Sequence, residues 1–281
     1  MEEISIVGTI IIIVTALYSY MGFKDQLFFD GHKFEVDSIL INKEYKRLVT
    51  SGFLHVGWGH LIFNMLSLYF FSDIVEWRLG WLNFTLLYFI SLMGGDLLAL
   101  FIHRNHGDYS AVGASGAVSG VIYASIALFP DIEIGFILLP IYIPGWLFGI
   151  LYVLFSIYGI KSGKGNIGHD AHLGGALVGM ATAVIMQPSA LAENYQTILL
   201  IAAPTIIFIY LIITRPQILL VDNYYFRTHK NEYSIEHKYN EKKTNQLKEI
   251  DDILDKIRKK GIDSLNKKEK QILDEYSKTK R

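Results

Sequence analysis

Cysteine is absent from the 281 residues of this chain. Its absence excludes disulfide bonds, a thiolate nucleophile and cysteine-ligated zinc sites, and it leaves the redox compartment undefined. The chain also lacks a basic start followed by a small-residue cleavage site, since it opens Met1-Glu2-Glu3. We therefore expect the first apolar run to be retained as a helix and not removed as a secretory signal.

Charged residues are scarce over most of the chain and gather at its end. Residues 1–214 contain 9 basic and 15 acidic residues, whereas residues 215–281 contain 17 and 12. Apolar residues make up 51% of the chain and are concentrated in blocks before residue 215. This pattern predicts a polytopic membrane protein followed by a soluble tail. Because acidic residues dilute the basic residues of the tail, we do not expect nucleic-acid binding.

Apolar runs that could form membrane spans number seven, and a helix needs about 20 residues to cross the hydrocarbon core. The runs 115–129 and 145–160 are short, and Pro140 and Pro144 prevent the second from extending further back. A short span is possible where neighbouring protein covers its end, so the shortness of 115–129 places Ser115 below the membrane surface. The seven runs are 4–21, 59–77, 81–103, 115–129, 145–160, 169–187 and 196–214.

The fold class that we predict is all-α, a polytopic transmembrane helix bundle with a short soluble helical tail. The long connection 22–58 mixes charged and apolar residues, so we expect short structured pieces in it, with Lys46-Arg47 as an interfacial anchor. The predicted units are a membrane core over 1–190, an additional transmembrane helix over 191–216 and a charged tail over 217–281.

Apolar residues at helical spacing predict a helical hairpin over 248–278 in the tail, interrupted at Gly261. Asn266 and Glu269 have the spacing of a capping box, in which each side chain accepts from the backbone of the other. They therefore predict the start of the second helix of the hairpin.

Ser115 lies among small residues at the start of the fourth run, in the motif Gly-Ala-Ser-Gly that begins at Gly113. Candidate partners open two other runs. His60 and Asn64, four residues apart, share one helix face in the second run, and His172 opens the sixth. If the spans alternate in direction, these side chains lie at one depth. Polar side chains inside a membrane are costly and tend to face a cavity or a partner.

Two glycine ridges provide a means of close approach between the fourth and sixth spans. Gly116 and Gly120 form one G-x-x-x-G pattern, and Gly175 and Gly179 form another. Such ridges let helix backbones approach closely in lipid, which could bring Ser115 within hydrogen-bond reach of an imidazole. A single ridge is more often only a packing device, so the combination with serine and histidine carries the inference.

Together these motifs resemble those of the rhomboid intramembrane serine proteases. They are Gly-Ala-Ser-Gly at 113–116, His-x-x-x-Asn at 60–64, Ala-His-x-x-Gly at 171–175 and Glu-x-Arg-x-Gly at 76–80. Each motif alone is weak, but their order and their positions on the spans are specific. The resemblance covers about residues 45–190 and implies a six-helix core, here with one additional C-terminal span.

The resemblance implies a Ser–His dyad, with Ser115 as nucleophile and His172 as general base and later acid. His60 and Asn64, with the backbone N–H of Ser115, would stabilise the oxyanion. It implies no metal and no cofactor, and it implies transmembrane protein substrates and membrane lipid as partners. Glu76 and Arg78 would be structural residues that pin the loop after the second span, with Gly113, Gly116, Gly120, Gly175 and Gly179 as the structural glycines.

Alternatives to this dyad remain among the neighbouring polar residues. His169 lies on nearly the same helix face as His172, but nearer the end of the span, where hydration is expected. Asp170 points elsewhere on a helix, so we interpret it as a charge at the loop edge. His55 is interpreted as structural. His103 and His106 could bind a metal only with a third ligand, so we interpret them as part of a polar loop.

Ser119 departs from the pattern of the family that the chain resembles. Members of that family often carry an aromatic residue four positions after the nucleophile, and the catalytic imidazole packs against it. A replacement must therefore come from elsewhere, or be absent. Tyr123 lies one turn further along the same face and would be too deep.

The sidedness of the chain is predicted differently by two arguments. The loops 22–58, 104–113 and 161–168 share a side with the tail if all seven runs span. That side contains most of the basic residues, which favours the cytoplasm. The resemblance to bacterial rhomboids implies the exterior instead, in the bacterial cytoplasmic membrane, and we follow it for access to the site. Functional alternatives are a non-catalytic rhomboid-like protein that binds membrane clients and a histidine-lined transporter or metal carrier. The oligomeric state stays open.

Overall fold

The computed structural model describes residues 5–136, 139–162 and 168–215, together with parts of the tail between 250 and 273. Each of the seven apolar runs coincides with a helix in the described residues, which confirms the predicted helix bundle. In chain order the helices are α1 (Ile6–Lys24), α2 (Gln26–His32), α3 (Val36–Leu40), α4 (Arg47–Thr50), α5 (Trp58–Leu79), α6 (Trp81–His103), α7 (Ser115–Leu128), α8 (Gly145–Ser162), α9 (His169–Met186) and α10 (Pro188–Thr214).

Three of these helices, α1, α6 and α10, are long and apolar enough to cross a membrane. Helix α7 has 14 residues, which corresponds to about 21 Å and falls short of the roughly 30 Å of a hydrocarbon core. Its residues from Gly116 to Leu128 are all buried, and it packs against α5, α6 and α9. A short helix can therefore begin inside the bundle, because protein surrounds it.

The connection between α1 and α5 consists of the short pieces that the sequence predicts, namely α2, α3, α4 and a 3-10 turn at Ser51–Phe53. The Asp25 side chain accepts from two backbone N–H groups and caps α2. Arg47 is buried, and its guanidinium bonds the carbonyls of Asp30 and Lys33 at 2.7 and 2.8 Å and the Glu44 carboxylate at 2.6 Å. The prediction of an interfacial anchor at Arg47 is thus wrong, since this side chain braces the loop from inside.

Two small antiparallel pairs of strands complete the membrane unit. Strand β1 (Phe34–Glu35) pairs with β2 (Ser110–Ala111), which ties the first connection to the segment before α7. Strands β3 (Glu133–Phe136) and β4 (Leu139–Pro144) form a hairpin before α8. The two prolines predicted a helix break there but not this pairing.

The chain divides into two compact units, Met1–Thr228 and His229–Arg281. In the second unit, residues 253–259 are helical and Gly261 has a positive φ of 80°. The Asn266 side chain accepts from the Glu269 N–H at 2.9 Å, and Glu269 accepts from the Asn266 N–H at 2.7 Å. This reciprocal pair is the capping box expected from the sequence, although parts of 248–278 lie outside the described residues.

Candidate active site

Ser115 is the first residue of α7, and the preceding loop turns sharply to present it. Gly113 has a φ of 136°, a conformation that side-chain-bearing residues rarely adopt. Its N–H donates to the Ser51 carbonyl at 3.0 Å, which holds the loop against the 3-10 turn. Ala114 occupies the N-cap position and provides no side-chain cap to α7. The first N–H groups of the helix therefore lack the usual partner, beside the Ser115 hydroxyl.

His172 lies on the first turn of α9 and faces the serine. The distance between its Nε2 and Ser115 Oγ is 2.6 Å, a short hydrogen bond. The two residues are far apart in sequence and come from different helices, so the pairing depends on how α7 and α9 pack. A serine hydroxyl in contact with an imidazole nitrogen is the arrangement from which a nucleophile can be activated.

Glycines at the α7–α9 contact let the two helix backbones touch each other directly. A Cβ at Gly175 would overlap the backbone of Gly116, and one at Gly179 would overlap the backbone of Gly120. A Cβ at Gly120 would lie 2.9 Å from the Gly175 carbonyl oxygen and would also meet Ser91. Gly116 has more room, because its Cβ would lie 3.4 Å from the nearest atom, the Ala171 carbonyl oxygen. The two glycine ridges are thus in direct contact, and this close approach of α7 and α9 places Ser115 beside His172.

A cavity of about 670 Å³ opens over this pair, and it is lined by Ser115, His172 and His60 among others. His60 reaches this cavity from the first turn of α5. Its ring and the Ser115 hydroxyl both lie next to Gly113, because a Cβ on Gly113 would lie 3.1 Å from His60 Nε2 and 3.5 Å from Ser115 Oγ. His60 Nδ1 is buried and has no hydrogen-bond partner within the described segments. The structure therefore brings three of the predicted polar residues to one cavity.

Asn64 lies one turn further into α5 and is buried. Its Nδ2 donates to the His60 carbonyl at 2.9 Å, inside its own helix. An amide nitrogen carries two hydrogens, so one of them remains for another acceptor. Asn64 is not among the residues that line the cavity in the described part of the chain.

His55 connects the loop before α7 to α1, a role that its sequence position alone does not specify. Its Nδ1 lies 2.9 Å from Ser19 Oγ, and its Nε2 accepts the Ala114 N–H at 3.4 Å. Because Nε2 accepts, the proton resides on Nδ1 and is donated to the serine, which itself donates to the Phe53 carbonyl at 2.8 Å. Burial lowers the pKa of His55 to about 3, so the ring stays neutral.

The missing aromatic residue at Ser119 is replaced from a different helix. The Tyr152 ring of α8 stacks on the His172 ring with a centroid distance of 6.1 Å and an interplanar angle of 26°. Its hydroxyl lies 2.9 Å from Ser119 Oγ. The small Ser119 side chain thus stands where relatives often carry an aromatic ring. Its hydroxyl forms a hydrogen bond with Tyr152, whose ring packs against His172 instead. Tyr123 instead donates to the Gly149 carbonyl at 2.7 Å and touches Tyr152 edge-on.

Two neighbours of His172 have contacts of their own. His169 is buried, so the expectation that it is hydrated is wrong, and it packs against Phe155 of α8 with a centroid distance of 5.2 Å. Asp170 is buried, and its carboxylate lies 2.7 Å from His103 Nε2. The interpretations of Asp170 as a loop-edge charge and of His103 as part of a polar loop are therefore wrong. Tyr109, which stacks on His103 at 3.6 Å, also donates to Asp170.

Glu76 and Arg78 do not act together on the loop after α5. The Glu76 carboxylate accepts from the Ser5 hydroxyl and, at 3.2 Å, from the Val7 N–H, so it caps the start of α1. Arg78 is exposed and makes no hydrogen bond or ion pair with the residues whose placement is described. The predicted pinning of that loop is thus replaced by a bond between two spans.

Fold and site together define a polytopic membrane protein with a Ser–His pair set inside its helix bundle. Comparison with known families agrees with this description, because the family model named Rhomboid domain matches residues 42–189. This match covers more than half of the chain, and the protein therefore belongs to the rhomboid family. A second model, a family of unknown function called DUF6576, matches residues 233–279.

Similar curated proteins also carry rhomboid names. RHOMBOID-like protein 12, mitochondrial, of Arabidopsis thaliana is 28% identical over 62% of this chain and 55% of its own length. Rhomboid protein 1, mitochondrial, of Saccharomyces cerevisiae is 31% identical over 50% of this chain and 43% of its own. YdcA of Bacillus subtilis, which carries a rhomboid protease name, is 38% identical over 34% and 47%. The chain thus spans about half the length of these relatives.

Proposed function

We propose that the protein is an intramembrane serine endopeptidase that cleaves transmembrane protein substrates with Ser115 and His172. The observation that carries the proposal is the 2.6 Å hydrogen bond between Ser115 Oγ and His172 Nε2 at the edge of a cavity. Membership of a family that includes serine proteases supports it. The hydroxyl and the imidazole are half-buried polar groups inside a membrane helix bundle, where such groups are usually retained for a partner or a function.

The reaction follows from the positions of the two side chains. Ser115 Oγ attacks the peptide carbonyl carbon while His172 Nε2 accepts the hydroxyl proton. The C–N bond then breaks, and His172 donates that proton to the departing amine. Water, deprotonated by His172, attacks the resulting ester. The C–O bond to Ser115 then breaks, His172 returns the proton to Ser115 Oγ, and the second product leaves. No cofactor takes part in these steps.

Stabilisation of the oxyanion is assigned to the start of α7 together with the α5 residues. Because Ser115 is the first residue of α7, its backbone N–H has no acceptor within the helix and is available to the developing negative oxygen. The positive end of the helix dipole favours an anion at the same place. His60, which lines the cavity, is a second donor. Asn64 does not line the cavity in the described part of the chain, so its second amide hydrogen would have to turn towards the oxyanion when substrate binds. One such donor contributes about 3–4 kcal/mol to the transition state.

The location that we propose is the bacterial cytoplasmic membrane, with the site reached from the exterior side. The likeness to YdcA of Bacillus subtilis supports a bacterial setting, while the mitochondrial names belong to other relatives. Fractionation of cells that produce the chain, followed by detection in the inner-membrane fraction, tests the location. A reporter fused after Arg281 tests which side the tail occupies.

Labelling with a serine-reactive fluorophosphonate tests the dyad directly. We expect Ser115→Ala to abolish labelling and His172→Ala to lower its rate on the order of 10³-fold or more. Ser125→Ala is the matched control, because Ser125 is buried in the same helix and its hydroxyl donates to the Ile122 carbonyl of that helix. Labelling that survives Ser115→Ala would contradict the assignment of Ser115 as nucleophile, whereas a wild type that does not label would favour a non-catalytic client-binding protein.

A further inference from the structure

An acidic side chain lines the same cavity as the candidate dyad. Asp96 lies within α6, and Ser51 and Asp96 are both cavity-lining residues, as are Ser115, Gly116 and His172. Only 8% of Asp96 is exposed, although it contributes to the wall. The mechanism above does not use this carboxyl group, so its presence in a membrane-length helix requires another explanation.

The carboxyl group of Asp96 lies close to the nucleophile through two short connections. Ser51 Oγ donates to Asp96 Oδ2 at 2.9 Å, and the Ser51 carbonyl accepts the Gly113 N–H at 3.0 Å. On the other side, the backbone at Gly95 is in close contact with the Ala171 carbonyl, which also faces Gly116. Asp96 is therefore beside the loop and the helix turn that present Ser115.

The lysine on the cavity wall is paired with other acids, and so is a histidine of α6. Lys33, on the cavity wall, forms ion pairs with Asp30 at 3.1 Å and with Glu35 at 3.4 Å. His103 is paired with Asp170. Within the described segments, Asp96 makes its one hydrogen bond with Ser51 and no ion pair. Ionisable residues in membrane helices are costly and are usually retained for a partner or a function.

We propose that Asp96 and Ser51 form the base of a pocket that takes a cationic substrate side chain, lysine or arginine, next to the scissile bond. The inference rests on the proposed function and adds a substrate class to it. A lysine or arginine would provide the positive partner that the chain itself does not place at Asp96. A hydrogen bond between charged groups in this setting corresponds to a preference of roughly 10- to 100-fold.

Peptide substrates that differ at one residue test the pocket. Fluorogenic peptides with Lys, Met or Glu before the scissile bond are compared by kcat/KM with the full-length protein in detergent. We expect the wild type to prefer Lys over Met by roughly 10- to 100-fold, with Glu the poorest. Asp96→Asn should bring the Lys-to-Met ratio towards one, whereas Asp131→Asn, in an exposed turn, should leave that ratio unchanged.

The outcomes separate this inference from the proposed function. Equal cleavage of the Lys and Met peptides by the wild type would overturn the pocket, and this measurement needs no variant to fold. An equal loss for both peptides in Asp96→Asn would also overturn it, because Asp96 would then only hold the loop through Ser51. Failure of the proposed function appears elsewhere, as fluorophosphonate labelling that does not depend on Ser115.

Discussion

Helix α7 meets helices α9 and α8 in different ways. Towards α9 the contact is made by glycines, with backbone on backbone at Gly116, Gly120, Gly175 and Gly179. Towards α8 the contact is made by side chains, with the Tyr152 ring held by Ser119 and packed beside Tyr123. Both contacts affect His172. The glycine contact brings His172 within 2.6 Å of Ser115, and the side-chain contact places the Tyr152 ring against the His172 ring.

The two contacts therefore control different properties of His172: its distance from Ser115 and the orientation of its imidazole ring. Backbone contacts have no rotamers to adjust, so the α7–α9 contact fixes how far His172 is from the nucleophile. An aromatic ring stacked on an imidazole restricts rotation of that imidazole, and such a pair contributes about 0.5–1.5 kcal/mol. Damage to the glycine contact should therefore be severe, and damage to the aromatic contact should be graded.

The largest effect is expected from Gly175→Ala. The added methyl group would overlap the Gly116 backbone, which cannot move aside as a flexible side chain can. We expect at least a 100-fold loss of fluorophosphonate labelling and a lower thermal midpoint in detergent, because a misplacement of about 1 Å can cost that much. Gly116→Ala should be mild, since its Cβ would lie 3.4 Å from the nearest atom.

Gly31→Ala provides the control for both glycine variants. No atom lies within 4 Å of the Cβ position at Gly31, so the substitution should change neither labelling nor the thermal midpoint. If Gly175→Ala and Gly116→Ala have equal effects, the backbone contact does not set the distance between the two catalytic candidates.

A smaller effect is expected on the aromatic side. Tyr152→Leu removes the ring from His172, and we expect a three- to tenfold lower kcat with little change in KM. Tyr152→Phe keeps the ring and should recover most of this loss. Ser119→Ala should resemble Tyr152→Phe, and the double variant should be no worse than either, because one hydrogen bond is lost in each case.

A reciprocal exchange of the two residues sharpens this result. Ser119→Tyr alone should lower activity, since the new ring would occupy the space of the Tyr152 hydroxyl. Combination with Tyr152→Ser should restore activity by moving the ring from α8 to α7. Full activity of Tyr152→Leu would show that the stacked ring has no positioning role.

The smallest effect is expected for His55. It belongs to neither the α7–α9 nor the α7–α8 contact, and it supports the loop before α7 from the side of α1. Its pKa is about 3 in the folded protein and about 6.5 in an unfolded chain. As the pH falls below about 6.5, the unfolded state binds the proton more readily, so stability decreases towards pH 3. We expect a lower thermal midpoint at pH 5 than at pH 7, and a smaller difference in His55→Gln. An unchanged difference would contradict this assignment.

The sequence determined the helical spans, because partition of a long apolar run into lipid depends on that run alone. The glycine ridges could also be predicted from the sequence, since spacing along one helix decides which residues share a face. The candidate dyad rests on the resemblance to rhomboid motifs, because Ser115 and His172 lie on different helices. The capping box of Asn266 and Glu269 could be predicted for the same reason, as three residues suffice to form it.

Only the tertiary structure decided which side chains from distant segments meet. Tyr152 and Ser119 are 33 positions apart, and Glu76 and Ser5 are 71 apart, so no local period connects them. The burial of Asp170 against His103 depends likewise on how α6 meets α9. Each of these contacts is a polar or aromatic pair formed across helices, and packing decides such pairs because it sets which polar groups are removed from water.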